Sequence, residues 1–297
     1  MRVNPNFSPD ILQDLYLSQS QEQTTLQQLA TGHEINMPSD NPAGAERLVE
    51  NQFGQEQNDQ FQQNTSALEG LMNTADSTLN SVVEALNQAI TLGVEGGSGS
   101  KSPADLQAIA QQVQGIQQQV VGLANSSYEG NYIFAGTASK TQPFTFDPSA
   151  PDGVDYNGNT GVNTVTIANG NSVQINLPGS QIFQGTSGDV MGGLQQLVTA
   201  LQNGDINGVE AATTALGGSL SYLSQQRVFY GNVLNQLTSN QTYLQQEKVS
   251  LQTEANSIDA VDMAKAATDL SQEQVSQSAT MAALARIVPM SLMNYLK

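Results

Sequence analysis

The sequence contains no cysteine and no tryptophan, and it has a single histidine, His33. Without Cys there are no disulfides, no thiolate ligands for zinc and no sulfur nucleophile. With one imidazole, a His-rich metal site is excluded as well. His33-Glu34 opens like a zinc-protease helix, but no second His follows to complete HExxH. Cations are scarce too: nine Lys and Arg stand against 27 Asp and Glu, for a net charge of −18. That balance gives no footprint for a phosphate backbone and is repelled by anionic lipid, so neither nucleic acid nor membrane is expected as a partner. Charge of either sign is sparse at 12%, about half of the roughly 25% usual in soluble domains. Gln, Asn, Ser and Thr fill the gap. No window approaches the ~18 apolar residues of a spanning helix, and the opening "MRVNPNFSPDILQDLYLSQSQ" holds no run fit for a secretory signal. The expectation is a cytosolic chain, or one exported without a cleaved signal peptide.

Three segments imitate chemical motifs and fail. "GGSGSKS" at 96–102 has Ser100 where a phosphate loop needs Gly, and no strand precedes it. It reads as a helix–helix linker. Asp155, Asn157 and Asn159 have calcium-loop spacing, but Thr160 stands at the sixth position and Thr166 at the twelfth, where Gly and Glu are required. A Ser/His/Asp triad would have to use His33, in a turn-rich loop, and no nucleophile elbow is present. No enzyme, cofactor or metal site is expected.

What is present is helical spacing. A first helix is read over about 9–30, with Ile11, Leu12, Leu15, Leu26 and Leu29 on one side and "SQSQEQ" at 18–23 interrupting the stripe. Gly32 then stops the helix, and Ser39 or Asn41 with Pro42 restarts one as N-cap and N1. Leu68, Met72, Ala75, Leu79, Val82, Leu86 and Ala89 hold spacings of four and three, a heptad seam. A Gly/Ser loop leads to a second seam at Leu106, Ile109, Val113, Ile116, Val120 and Leu123, making an antiparallel helical hairpin. From about Tyr132 to Gln184 the period changes. "TVTIANGNSVQINL" alternates on both sides of Asn169-Gly170, which signals a β-hairpin. Helical spacing returns at 191–201, and a long helix beginning near Val209 carries a seam from Leu216 to Ile258. Arg227, Gln241 and Lys248 sit in that seam, either covering it with their stems or fixing register as polar residues. The final segment carries Leu270, Met281, Leu284, Val288 and Leu292, broken by "SQEQVSQS" at 271–278. The chain is thus mainly α with a small β insertion, and its two ends meet. The few apolar residues of each end offset little of the entropy lost on ordering a helix, so the ends need a partner.

Three stretches resemble one family. "LATGHEINMPSDNPAGA" is similar to the STGxRIN-x-x-SDDPAGA stretch of the flagellin superfamily, while "NYIFAGTASKTQPF" and the terminal "PMSLMNYL" resemble its hook–filament junction branch. "VTIANGNSVQINLPGSQIF" also fits that branch's β insert. His33-Glu34 departs from a usually basic pair, and Asn41 stands where Asp is usual. The resemblance implies an elongated rod: an antiparallel long-helix bundle, paired N- and C-terminal helices and an outward β domain. It implies a terminal assembly domain (1–42 with 262–297), a shaft (43–131 with 186–261) and a β insertion (132–185). The function implied is a structural junction ring of the extracellular bacterial flagellum, with a short filament flagellin as the alternative. The implied partners are further copies of the chain, the neighbouring hook-associated protein, flagellin on the filament side and an export chaperone at the C-terminal helices. Assembly would run through Leu12, Leu15, Leu26, Leu29, Leu270, Met281, Leu284, Val288 and Leu292, with Gly32, Asn41 and Pro42 as a helix joint.

Overall fold

The heptad seams become the core. In the computed structural model, which describes residues 7–295 and the side chains of 13–283 and 285, the helices are α1 (Phe7–Thr31), α2 (Pro42–Gly96), α3 (Pro103–Ala124), α4 (Gly179–Phe183), α5 (Val190–Asn203), α6 (Ile206–Asp259) and α7 (Met263–Tyr295). Eight short strands lie between α3 and α5: β1 (Ser127–Tyr128), β2 (Asn131–Tyr132), β3 (Phe144–Phe146), β4 (Val154–Tyr156), β5 (Thr164–Ala168), β6 (Asn171–Gln174), β7 (Gln184–Gly185) and β8 (Gly188–Asp189). The chain divides into two units, one of residues 58–245 and one of 1–57 with 246–297.

The central unit, 58–245, is a helical bundle with a β insertion. Met72, Leu79 and Leu86 of α2 are fully buried with Val113 and Val120 of α3, Leu194 and Leu197 of α5, and Leu216, Leu223 and Leu237 of α6. The turn from α2 into α3 is fixed locally. Ser102 Oγ accepts the Asp105 N–H (3.2 Å) and Asp105 Oδ2 accepts the Ser102 N–H (3.1 Å), a reciprocal capping box with Pro103 at the first helical position. Ser102 Oγ also donates to Asp105 Oδ2 (2.8 Å), and this bond, with that from the Ser102 N–H, holds the carboxyl below its ordinary range. Register between α2 and α6 is set by polar ties. Arg227 grips Asp76 with Nε (3.0 Å) and Nη2 (3.1 Å) and Asn80 with Nη1 (2.9 Å). Of the two seam readings, Arg227 follows the register-fixing one.

The insertion is four antiparallel hairpins rather than one sheet. Phe134, Phe144 and Phe183 are fully buried and meet edge to face at 5.4–5.5 Å, joining the hairpins to the bundle. Gly136 has φ +70, and a Cβ there would sit 2.2 Å from the Asn159 carbonyl oxygen, so only Gly fits. Asn157 and Asn159, which have calcium-loop spacing, are spent on hydrogen bonds within the chain. Asn159 Oδ1 accepts the N–H groups of Thr137 (2.8 Å) and Gly161 (3.0 Å), and Asn157 Nδ2 donates to Thr145 Oγ1 (2.9 Å).

Candidate assembly site

The other unit is built differently. Here α1 packs along α7, and the first turns of α2 lie beside the last turns of α6. Asn51 Nδ2 donates to the Leu251 carbonyl (2.9 Å) and Arg47 Nη2 to Glu254 Oε1 (3.2 Å). Between the two helix pairs runs a clip of two short segments. Gly32 ends α1 at φ +76, with its N–H on the Gln28 carbonyl (2.8 Å). The chain then forms an antiparallel bridge, His33 to Ala260. Asp259 is the centre of the clip. Its carbonyl accepts the Glu34 N–H (2.7 Å), its Oδ1 the Ile35 N–H (2.9 Å), and its Oδ2 meets His33 Nδ1 (2.5 Å). Asp40 closes the loop from the other side, with Oδ2 accepting the N–H groups of Asn36 (3.1 Å) and Met37 (2.8 Å). Asn41 caps α2 by accepting the Gly44 N–H (3.0 Å), and Pro42 follows as its first residue. A Cβ on Gly44 would lie 2.5 Å from Ile35 Cδ1 and 2.8 Å from the Asn41 amide, so this position admits only Gly without a shift.

The clip is well bonded, but the described side chains of the helices around it form little core. Among the described residues of this unit, Ala266 is the one buried apolar side chain. The other buried groups are polar: Thr25 and Asn51. Thr25 Oγ1 faces Glu273 Oε1 (3.4 Å), and Glu273 Oε2 is buried without a hydrogen-bond partner. Meanwhile Tyr16, Leu17, Leu26, Val49, Phe53, Val249, Val275 and Met281 are exposed, Tyr16 to 72% and Phe53 to 67%. A helix pair whose described apolar side chains are at most half-buried, Ala266 apart, gains little from its own packing.

The residues expected to carry assembly divide accordingly. Leu15, Leu29 and Leu270 are half-buried between α1 and α7, while Leu26 and Met281 are exposed. The side chains of Leu12, Leu284, Val288 and Leu292 lie outside the described residues. Two groups of residues escaped the apolar reading. Tyr16 and Leu17 fall off the leucine stripe. Asn51, Asn58 and Thr65 continue the heptad of Leu86, Leu79 and Met72 backward in steps of seven, but as polar residues. Asn51 and Asn58 donate to α6 carbonyls, Asn58 Nδ2 to Leu244 O at 3.1 Å. Extending the heptad beyond its last apolar member is the signal that finds them.

Comparison with known proteins gives this arrangement its family. The model of the bacterial flagellin N-terminal helical region matches residues 7–139, and that of the flagellin C-terminal helical region matches 213–296. The chain belongs to the flagellin superfamily. Within it, the chain is 32% identical over 158 residues to flagellar hook-associated protein 3 of Salmonella typhimurium, covering 53% of this chain and 48% of that one. It thus spans about half the length of that curated relative. Among solved structures, FlgL of Bacillus cereus matches with a TM-score of 0.59 at 23% identity, over 71% of this chain and 99% of that one. The flagellar junction protein FlgL of Legionella pneumophila matches with a TM-score of 0.60 at 13% identity, over 72% and 100%. The structural matches show a shared fold, and the sequence match shows homology to the hook-associated branch. Among the described residues, no cluster of three or more His, Asp or Glu could hold a metal, and no helix is long and apolar enough to cross a membrane.

Proposed function

We propose that this chain is a structural subunit of the bacterial flagellum that joins hook to filament, and that it assembles with further copies through its terminal unit. The observation that carries the proposal is the sparse packing of that unit: among its described residues one apolar side chain, Ala266, is buried, while Tyr16, Leu17, Val49, Phe53 and Val275 are exposed. Homology to a hook-associated protein favours the junction over a filament flagellin. On this reading residues 1–42 with 262–297 form the assembly domain, 43–131 with 186–261 the shaft and 132–185 the insertion. Leu15, Leu26, Leu29, Leu270 and Met281 stand in the assembly contacts, and the joint at Gly32, Asn41 and Pro42 holds the helices apart for them. The neighbouring hook-associated protein and flagellin are the partners on either side. Export follows the flagellar type III route, with a chaperone on the C-terminal helices.

Removing residues 1–30 is expected to leave the central unit folded and to abolish attachment of filament to hook. Stable filaments in cells carrying the truncated protein contradict the proposal. A tagged full-length chain should label isolated flagella as a single band at the hook–filament boundary. Labelling along the whole filament would assign it to flagellin instead.

A further inference from the structure

Four Asn-Gly pairs occur in the chain, at 157–158, 169–170, 203–204 and 207–208. This dipeptide carries its own reaction. The Gly main-chain nitrogen, once deprotonated, attacks the Asn side-chain carbonyl carbon. A C–N bond closes a five-membered succinimide, and the side-chain nitrogen leaves as ammonia. Water then opens the ring at either carbonyl, giving aspartate or isoaspartate. There is no redox step, and water is the one co-reactant. Gly permits the attack because it has no Cβ to crowd the nitrogen.

All four asparagines are exposed, so access to water does not choose among them. Their bonding does. Asn157 is held at two points: its N–H donates to the Pro143 carbonyl (2.7 Å) and its Nδ2 to Thr145 Oγ1 (2.9 Å). At 203–204 the nucleophile is engaged, because the Gly204 N–H caps α5 on the Leu201 carbonyl (3.2 Å). Asn207 lies in the first turn of α6, spanned by the bond from Val209 N–H to the Asp205 carbonyl (2.9 Å). A Cβ on Gly208 would sit 2.4 Å from Asp205 Oδ2, so a carboxylate stands beside the nitrogen that must become an anion. None of these restraints acts at 169–170. Among the described residues, neither the Asn169 side chain nor the Gly170 N–H has a hydrogen-bond partner. Nothing lies within 4 Å of a Cβ built on Gly170, which leaves room for the ring. The turn is closed by the pair Ala168 and Asn171, and behind it the register already shifts between Thr166 and Ala168. The adjoining Asn171, Asn235, Gln236 and Ser239 carry no charge to oppose deprotonation.

We propose that Asn169 is a self-modifying site, which the free β5–β6 turn converts to aspartate and isoaspartate ahead of the other three pairs. The change is one-way, so each folded copy carries a chemical record of its age. It places a carboxylate in residues 157–188, a stretch with no charged side chain. The isoaspartate product also runs the main chain through the side-chain methylene, lengthening the turn by one atom. The hairpin keeps its attachment while its tip changes. Asn64 Nδ2 of α2 donates to the Thr166 carbonyl (3.3 Å) and Asn240 Nδ2 of α6 to the Ile167 carbonyl (2.7 Å), both ahead of the turn. This inference stands independently of the assembly reading.

The test compares the folded full-length chain with the same chain in urea, each incubated at mildly alkaline pH in heavy-oxygen water. Digestion in ordinary acidic water then ensures that only conversion during the incubation is labelled. Peptide mass spectrometry locates the label, and electron-transfer fragmentation separates isoaspartate from aspartate. In the folded chain, label at 169 should accumulate roughly tenfold faster than at 157, 203 or 207, the scale of one hydrogen bond broken before ring closure. In urea the four rates should converge, since each Asn is followed by Gly. Asn169→Gln, whose ring would be six-membered, should lose the label at 169 and keep the native fold. Conversion at 157, 203 or 207 as fast as at 169 in the folded chain overturns the proposal. So does an unlabelled 169 in the folded chain over a period in which the urea-treated chain converts. A lead at 169 that persists unchanged in urea would assign the reactivity to local sequence and overturn the turn as its cause.

Discussion

Replacing Asp259 by Ala removes one side chain that holds two residues of the facing segment, Ile35 and His33. Its carboxylate accepts the Ile35 N–H at 2.9 Å and meets His33 Nδ1 at 2.5 Å, and its side chain is 15% exposed. A hydrogen bond to a charged, largely buried acceptor contributes about 1.5–3 kcal/mol. The His33 side chain is 62% exposed, so its contact is screened and adds less than about 1 kcal/mol. The main-chain bond from Glu34 N–H to the Asp259 carbonyl survives the substitution. Amide exchange followed by NMR should therefore separate two neighbours. Ile35 should exchange roughly 10- to 150-fold faster in Asp259→Ala, taking about 1.4 kcal/mol per tenfold, while Glu34 changes far less. Asp259→Asn keeps an acceptor oxygen and should fall between. Ile35 exchange unaltered within about threefold would show that the carboxylate does not hold the clip, and the joint would have to be assigned to its backbone alone.

Other positions test the central unit. Leu86, fully buried in the α2 seam, should cost about 2–5 kcal/mol when cut to Ala, seen as a lower denaturant midpoint of the main transition. Asp189 caps α5 by accepting the Gly192 N–H at 2.8 Å, while burial, and secondarily nearby Asp152, pushes its carboxyl above the ordinary value. Its folded state thus prefers the proton. The stability this contributes is fully present below the unfolded pKa of about 3.8 and is lost as pH rises through the folded pKa. Asp189→Asn keeps the cap without the charge, so it should match or exceed the native chain at neutral pH, with the advantage fading in acid. A variant less stable at pH 7 than at pH 3, relative to the native chain, would reverse the sign of this argument.

Apolar spacing carried most of the helical architecture. Leu68 through Ala89 and Leu106 through Val120 are buried where the heptads place them, because burial on one helix face is what a seam of spacing three and four encodes. The β insertion was legible as a change of period and an Asn-Gly turn at 169–170, and the structure places β5 and β6 on its two sides. Its split into four separate hairpins was not, since pairing partners are a tertiary choice that alternation does not specify. At the terminal unit the sequence showed a thin apolar stripe, from which self-association through the ends was expected and is proposed above. Which residues face outward followed a different logic. Tyr16 and Phe53 belong to no intramolecular seam, and the polar members of the long seam, Asn51 and Asn58, are invisible to a pattern that counts only hydrophobic residues. The clip at Asp259 unites residues more than two hundred positions apart in sequence, and nothing local announces it.

The central claim is that the terminal helices take their stability from neighbouring copies rather than from a core of their own. Hydrogen–deuterium exchange of the same full-length chain, as purified monomer and within isolated flagella, measures this directly. The account predicts rapid exchange over 13–30 and 263–283 in the monomer, strong protection of the same amides in the assembly, and slow exchange over 68–89 in both. Protection of 13–30 in the monomer equal to that of 68–89 would contradict it.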